Sequence, residues 1–386
     1  MEDGSLGRER SINMQVFVSL NAQGHRPARK AAAVLGIACF VSSTAISIGQ
    51  ERTIGIKLGP ALEIGRKELL FGSIASICED GQSNFYVLDR QETRILKFAP
   101  DGRLLAKFGQ KGQGPGDFQS PGQIVFTRQG ELAVLEDLFY VSFLKTDSTF
   151  IRRLDLNGRL GLGYIGPDRF YAWEWRPEGR QQLMVDAKSN ILSTFHTQAR
   201  DLFSVNLPDE TGRAVMFNYS NDVYVPQFLY AHGGHLSTLG ISDKYEIVLL
   251  NESGQAIASI RRNLKAQKFS AREKAYFERE LQEFARSKGW PGHVARELDK
   301  KIPSLKNMVS AVRISPQHVF VFRFPPDITA KEAYLPVDIF TLKGEFLGTA
   351  ELPEVPLLVT DKAMYFIKTD ESDNIFLLRA ECSLEF

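Results

Sequence analysis

Side chains that could bind a metal ion are spread thinly along this 386-residue chain. His232 and His235 are separated by two glycines, a spacing at which two imidazoles can share a zinc ion. Zinc takes three or four ligands, and no third one is evident for this pair, so we interpret the pair as a turn. Three aspartates in predicted turns could instead contribute to a calcium site: Asp89, Asp243 and Asp370. Solvated turn residues and strand caps give the same pattern, so we expect no cofactor and keep calcium as the alternative.

Aromatic and charged side chains are concentrated between Gly163 and Pro177. Aromatic rings beside arginine suit the binding of sugar rings or peptide side chains, through stacking and hydrogen bonds. Two further polar residues fall in turns that we predict between second and third strands. The predicted ligand-binding set is Tyr171, Trp173, Trp175, Arg176, Arg90 and His196. The alternative is that the aromatic rings fill the space between repeated units of the fold.

Composition and charge restrict the function of the chain. An apolar content of 43% is ample for a packed core. The formal net charge is +1, and no block of like charge stands out, so a nucleic-acid partner is not expected. No nucleophile elbow, phosphate-binding loop or dinucleotide-binding fingerprint occurs. We therefore expect a non-enzymatic binding protein.

The stretch from Ser73 to Pro121 contains the clearest repeated unit. Four short apolar runs are separated by turn signals, and a glycine-rich loop follows them. Four antiparallel strands that repeat along a chain indicate a β-propeller. Five hairpins between third and fourth strands mark five blades. Their predicted turns are Asp101-Gly102, Asn157-Gly158, Thr211-Gly212, Ser253-Gly254 and Lys343-Gly344.

The two ends of the chain together supply a sixth blade. Three predicted strands follow Pro356, and a strand between Thr53 and Gly65 can complete them, which leaves no free sheet edge. The sequence therefore predicts an all-β, six-bladed propeller of four-stranded antiparallel blades over residues 50–386. In this count the stretch from Gly163 to Pro177 is a loop that connects two blades.

Loop length distinguishes the two faces of the predicted ring. Loops between blades, and loops between second and third strands, open on one face. That face carries the long segments, including a predicted insertion of two helices at residues 266–306 that begins with a capping box of Ser270 and Glu273. Because long loops tend to carry function, we predict that this face binds a protein, a peptide or a glycan. We expect the protein to be a monomer.

The glycine-rich stretch from Gly109 to Pro121 resembles the linker of NHL-type propeller repeats, in which a phenylalanine and a proline precede the innermost strand. Tyr86 to Asp89 and Arg94-Ile95 resemble the second and third strands of that repeat. The chain as a whole resembles the secreted six-bladed propellers of bacteria, of the NHL-repeat and TolB-like kind. This resemblance implies an extracytoplasmic binding or scaffold role. Related propellers include lactonases and the peptide-amidating lyase, so the resemblance also implies an alternative: a calcium- or zinc-dependent lyase or hydrolase with its site at the central channel.

Residues 1–49 have the pattern of a secretory leader. Three basic residues between Arg26 and Lys30 precede an apolar run from Ala31 to Val41, and small polar residues follow. That order is typical of a signal peptide, and the run is too short to span a bilayer comfortably. We expect cleavage near Ala45 or between Ser47 and Gly49, and hence a secreted or periplasmic protein. An uncleaved N-terminal membrane anchor is the alternative.

Two cysteines, Cys78 and Cys382, lie in the part of the chain that follows the leader. The two chain ends meet in a closed propeller, so these residues could form a disulfide in an oxidising compartment. We favour two inert, buried thiols.

Overall fold

The computed structural model describes residues 52–65, 69–136, 138–176, 179–199, 204–208, 214–218, 221–330 and 333–386. These residues form a six-bladed β-propeller with four antiparallel strands in each blade, as the sequence predicts. They include two helices, and neither is long and apolar enough to cross a membrane. The predicted leader lies outside the described residues.

The first strand, β1 (Gly55–Ile64), belongs to the last blade, and blades 1, 2 and 3 come next along the chain. Blade 1 contains β2 (Ile74–Glu79), β3 (Phe85–Asp89), β4 (Arg94–Phe98) and β5 (Leu104–Phe108). Blade 2 contains β6 (Pro121–Phe126), β7 (Leu132–Glu136), β8 (Leu138–Leu144) and the first part of β9 (Phe150–Gly166). Blade 3 contains the second part of β9 with β10 (Arg169–Arg176), β11 (Gly179–Asp186) and β12 (Ile191–Ala199).

A separate two-stranded hairpin, β13 (Ser204–Pro208) and β14 (Ala214–Asn218), lies between blades 3 and 4 in the sequence. Blade 4 contains β15 (Phe228–Gly233), β16 (Leu236–Ile241), β17 (Glu246–Asn251) and β18 (Ala256–Arg261). The helices α1 (Ala271–Ser287) and α2 (Gly292–Asp299) follow. Blade 5 contains β19 (Val309–Ile314), β20 (His318–Arg323), β21 (Leu335–Thr341) and β22 (Phe346–Leu352). Blade 6 contains β23 (Leu358–Val359), β24 (Ala363–Thr369) and β25 (Ile375–Glu385) together with β1.

The pairing of β1 with β25 closes the ring. The two strands run antiparallel from Gly55 opposite Glu385 to Ile64 opposite Leu377. The outermost strand of blade 6 therefore comes from the start of the propeller and its other three strands from the end, as predicted. This pairing fastens the start of the propeller to its end within one blade.

The middle strands of the blades are buried on both faces. All five residues of β3 are buried. Phe85 and Val87 pack towards blade 6, whereas Tyr86 and Leu88 pack towards blade 2. A strand covered on both faces has a continuous apolar sequence instead of an alternating one, which explains the run Phe-Tyr-Val-Leu.

Two of the five predicted hairpins are not the outer hairpins of blades, although the number of blades is right. Asn157-Gly158 is not a turn, because it lies inside β9, which continues from blade 2 into blade 3. The turn of Thr211-Gly212 lies outside the described residues, and the strands beside it form the separate β13–β14 hairpin. The outer hairpins of blades 2 and 3 instead turn at 145–149 and 186–190.

The stretch from Gly163 to Pro177 is also not a connecting loop, as far as the structure describes it. It forms the end of β9 and the whole of β10, which are the first and second strands of blade 3. The sequence analysis missed these strands because no break separates blade 2 from blade 3.

The helical insertion has the predicted position and capping box. The Ser270 hydroxyl accepts a hydrogen bond from the Glu273 backbone N–H, and the Glu273 carboxylate accepts one from the Ser270 N–H. Phe277 and Leu281 of α1 are buried against Tyr224, which belongs to the connection between blades 3 and 4. The apolar side of the insertion therefore packs onto the long-loop face, the face that carries the loops between blades.

Candidate functional site

A cavity of about 990 Å³ lies at the centre of the ring. Inner strands of five blades line it, namely β2, β6, β15, β19 and β23. It also includes turn residues between first and second strands, such as Gly81, Gly130 and Gly234, so it opens on the short-turn face, opposite the long-loop face. Loop length had directed the sequence analysis to the other face. The sequence analysis considered the central channel only as the site of the alternative, a metal-dependent enzyme.

Blade 3 is screened from this channel by Tyr230. The ring of Tyr230, on β15 of blade 4, lies directly over Gly163 of β9: a Cβ atom at Gly163 would come within 2.6 Å of it. The Tyr230 hydroxyl donates a hydrogen bond to the Tyr164 carbonyl oxygen. A residue without a side chain is needed at position 163, because two chains approach each other there.

His232 lines the channel two residues beyond Tyr230. The Ser237 hydroxyl lies 3.2 Å from the Tyr164 carbonyl oxygen and 3.0 Å from His232 Nδ1, so it bridges the two groups by hydrogen bonds. Burial, reinforced by His235, lowers the pKa of His232 to about 4. The imidazole is therefore neutral at pH 7. His235 lies in the turn after β15, where the sequence predicts it, and the described residues include no group of three His, Cys, Asp or Glu placed to hold a metal ion.

Arg313 supplies a positive charge to the channel wall from β19. Its Nε donates to the carbonyl oxygen of Pro356 at 2.8 Å, and its Nη1 donates to that of Val312 at 2.8 Å. Burial lowers the pKa of Arg313 to about 10, which still leaves it charged at neutral pH. An arginine in the mostly apolar inner strand Val309–Ile314 was the available sequence signal for this residue, and the sequence analysis missed it.

The acidic residues of the channel are engaged by neighbours. Glu79 accepts a hydrogen bond from the Tyr365 hydroxyl at 2.9 Å. Asp80 accepts backbone N–H groups within its own turn and lies 4.0 Å from Lys97. Glu136 accepts the Gln119 N–H at 2.6 Å and lies 3.5 Å from Arg153. These contacts fix the carboxylates as parts of the wall.

The predicted ligand-binding aromatic residues lie in the interface between blades 3 and 4. Tyr171 is 5% exposed and stacks on Tyr230. Trp173 is buried, and the Arg180 guanidinium lies 4.3 Å from its ring centroid. These two rings therefore fill the space between blades, the alternative that the sequence left open.

Of the other predicted ligand-binding residues, Trp175, Arg176 and His196 also belong to blade 3, and Arg90 belongs to blade 1. Arg176, at the end of β10, is exposed and pairs with Glu174. Arg90 is exposed in the turn after β3 of blade 1. His196 is part of β12, opposite Gln182, and not in a turn. The side chains of Trp175 and His196 lie outside the described part of the chain. Ligand binding by the set stays a prediction.

Two of the three aspartates proposed for calcium use their carboxylates in local structure. Asp89 is fully buried and accepts hydrogen bonds from the Gly72 and Ser73 N–H groups and from Arg94. Asp370 accepts the backbone N–H groups of its own turn. Asp243 is exposed between β16 and β17. Calcium binding by these residues stays a prediction.

Comparison with solved structures supports the fold. A predicted exported protein from Bacteroides fragilis is similar with a TM-score of 0.52 at 12% identity, covering 85% of this chain and 95% of that one. A member of the DUF4221 family from Bacteroides vulgatus has a TM-score of 0.53 at 10% identity, with 87% and 99% covered. Virginiamycin B lyase from Staphylococcus aureus is more distant, with a TM-score of 0.39 at 10% identity and 84% and 99% covered. No protein-family model and no curated protein matches the chain.

Proposed function

We propose that this protein is an extracytoplasmic, non-enzymatic binding protein that holds a small polar ligand in its central channel. The observation that carries the proposal is the channel itself, about 990 Å³ with a mouth on the short-turn face. Binding sites for small molecules are concave and have volumes of about 300–1,000 Å³. The ligand is a small molecule or the end of a peptide or glycan chain.

The lining of the channel supports a polar ligand. The inner strand of each blade is an edge strand, and its unpaired backbone N–H and C=O groups face the channel. His232 and Arg313 add side-chain groups to this wall. A ligand with several hydrogen-bonding groups would match such a surface better than an apolar one.

The proposal differs from the binding surface predicted from loop length. On the long-loop face, α1 packs its apolar side onto the connection between blades 3 and 4, so that side of the helix is not open to a partner. In the described part of the chain, no observation favours the alternative of a metal-dependent lyase or hydrolase. The relationship to NHL-type repeats stays a prediction, carried by blade 1.

Export rests on the leader sequence, and one of the similar solved structures is named as an exported protein. Mass spectrometry of the protein released from the cell envelope is expected to give an N-terminus shortly after Ala45. A full-length chain that retains the leader would support the membrane-anchor alternative instead.

Substitution of a glycine at the channel mouth tests the binding site. A Cβ at Gly81 would meet nothing within 4 Å, so Gly81→Trp can fold and place a ring at the mouth. Gly292→Trp is a matched control, because Gly292 is equally open but lies at the start of α2 on the long-loop face. In a thermal-shift screen of small metabolites, ligands that stabilise the wild type and Gly292→Trp are expected to lose their effect on Gly81→Trp. Stabilisation that survives in Gly81→Trp would contradict the proposal.

A further inference from the structure

Arg313 differs from the other cations in the interior of the described chain. Most of these cations pair with a carboxylate: Arg94 with Asp89, Arg153 with Glu136, Arg262 and Arg323 with Asp338, and Lys306 with Glu273. Arg180 lies against the rings of Trp173 and Phe228 instead. For Arg313, no described residue provides a carboxylate within salt-bridge distance or an aromatic ring.

The hydrogen bonds of Arg313 leave part of its guanidinium open. The group carries five N–H donors in a planar fork. The bonds to Pro356 and Val312 use one N–H on Nε and one on Nη1. One N–H on Nη1 and both on Nη2 are left. The Nη1–Nη2 edge is one of those at which arginine binds a carboxylate or phosphate group through two parallel hydrogen bonds.

The position of Arg313 makes an anion the best match for this edge. A cation removed from bulk water is stabilised when an opposite charge and hydrogen-bond acceptors approach it. The acidic residues that line the channel, Glu79, Asp80 and Glu136, are engaged by other groups. The two carbonyl contacts hold the guanidinium in one orientation in the wall.

We infer that the channel binds a small molecule through a carboxylate or phosphate group, with Arg313 as the residue that recognises the oxyanion. This inference rests on the proposed function and names the chemical class of its ligand. The remainder of the ligand lies along the polar edges of the inner strands. Selectivity for the negative charge comes from Arg313.

Calorimetric titration with a matched pair of probes tests this inference. The probes are glutarate and its uncharged diamide, which differ in charge and hardly in size, and inorganic phosphate as a second oxyanion. The wild type is expected to bind glutarate or phosphate in the channel and to bind the diamide at least about tenfold more weakly. Binding of phosphate without glutarate would assign the oxyanion to a phosphate group.

Four variants separate recognition by Arg313 from general effects. Arg313→Gln is expected to weaken oxyanion binding by at least about tenfold, and Arg313→Lys by less, because it keeps the charge and loses the fork. Arg128→Gln is the control, because Arg128 lines the same cavity but is exposed and pairs with Glu252; its effect is expected to stay within about threefold. Circular dichroism checks that each variant is folded. Gly81→Trp, which places a ring at the channel mouth, tests whether the ligand binds inside the channel at all.

The two proposals fail in different ways. The anion site would be overturned by any one of three results: equal binding of glutarate and the diamide, no oxyanion binding by the wild type, or unchanged oxyanion binding in Arg313→Gln. The channel proposal would still hold if other ligands lost binding in Gly81→Trp. Ligand binding that Gly81→Trp leaves unchanged would overturn the channel proposal itself.

Discussion

The phenol rings of Tyr171 on blade 3 and Tyr230 on blade 4 lie parallel, with their centroids 5.2 Å apart and an angle of 8° between their planes. Tyr230 also reaches over Gly163 and donates a hydrogen bond to the Tyr164 carbonyl. One side chain thus joins two blades and forms the wall of the channel beside blade 3. The stability of this interface and the shape of the channel therefore depend on the same residue.

Truncation of Tyr230 is expected to destabilise the protein strongly. Tyr230→Ala removes a half-buried, stacked ring and should lower the free energy of unfolding by about 2–4 kcal/mol. Tyr230→Phe keeps the stack and loses one hydrogen bond, at a cost of about 1 kcal/mol. Urea unfolding measures both. Tyr334→Ala is the control, because Tyr334 is 53% exposed and its truncation should cost little stability. If Tyr230→Ala lowers the free energy of unfolding no more than Tyr334→Ala does, the assigned packing of Tyr230 is contradicted.

Loss of the buried ion pair between Lys306 and Glu273 is expected to loosen the helical insertion. Both side chains are 1% exposed. Lys306 also donates to the Pro326 carbonyl at 2.6 Å, and Glu273 accepts the Ile328 N–H, so the pair ties α1 to the loop after β20. Burial would raise the pKa of Glu273, but hydrogen bonds from Lys306 and the backbone outweigh it and lower that pKa.

Lys306→Met leaves Glu273 without its counterion and should cost about 3–5 kcal/mol. The double variant with Glu273→Gln is expected to lose less than the sum of the two single losses. Hydrogen exchange over α1 and α2, together with urea unfolding, measures the effect. Lys300→Met is the control, since its pair with Glu297 is exposed, screened by solvent, and should contribute little to stability. Additive losses would show that the two residues do not act as a pair.

His232 is expected to make stability depend on pH. Its pKa is about 4 in the folded protein, below the ordinary value of 6.5, because burial disfavours the charged imidazolium. The unfolded chain therefore binds a proton first, and the free energy of unfolding falls as the pH drops from about 6.5 towards 4. The contribution is on the order of 2 kcal/mol after allowance for partial exposure.

His232→Asn should reduce this fall in the free energy of unfolding, because asparagine does not titrate. Its side chain can still form a hydrogen bond with Ser237. His293→Gln changes an exposed histidine on α2 and should leave the fall unchanged. Urea unfolding at pH 7.5 and pH 4.5 provides the comparison. An equal fall in wild type and His232→Asn would contradict a buried, neutral imidazole.

The two cysteines are expected to be free and slow to react. Neither forms a disulfide in the structure. Burial, followed by the charges of Asp80 and Glu79, raises the pKa of Cys78 well above its usual range, and burial raises that of Cys382 to about 11. Thiolate is the reactive form, so at pH 7.5 alkylation of Cys382 should be on the order of a hundredfold slower than that of an exposed cysteine. Rapid labelling, or a disulfide between the two in the mature protein, would contradict this expectation.

The number of blades could be predicted because turns in this chain have a local signature. The hairpin loops at Asp80, Asp186 and Asp370 share one geometry: the aspartate accepts the N–H groups two and four residues later. The residue three positions on has a positive φ in each loop. Such a loop depends on its own five residues, so the sequence reveals it.

The same loop does not reveal its place in a blade. The Asp80 loop joins the first and second strands of blade 1, the Asp186 loop joins the third and fourth of blade 3, and the Asp370 loop joins the second and third of blade 6. The sequence analysis placed His196 in a turn between second and third strands, whereas it belongs to the fourth strand of blade 3, after the Asp186 loop. Assignment to a blade depends on long-range pairing, which one sequence does not show.

The proposed channel site was harder to predict than the fold because its residues lie far apart in the sequence. Arg313 and His232 reach the channel from two blades. Arg313 has no neighbouring residue that marks a site, and the neighbour of His232, His235, suggested a metal pair. The aromatic stretch around Trp173 was conspicuous in the sequence, yet its described rings fill an interface between blades. Residue type showed which side chains could bind a ligand, and strand order decided which of them face the channel.

A crystal structure of the protein isolated from the cell envelope, without added ligand, tests the central claim most directly. The account predicts density for a small molecule inside the channel, with an oxyanion about 3 Å from the Arg313 guanidinium. A channel that contains only water, together with a ligand bound on the long-loop face, would contradict it.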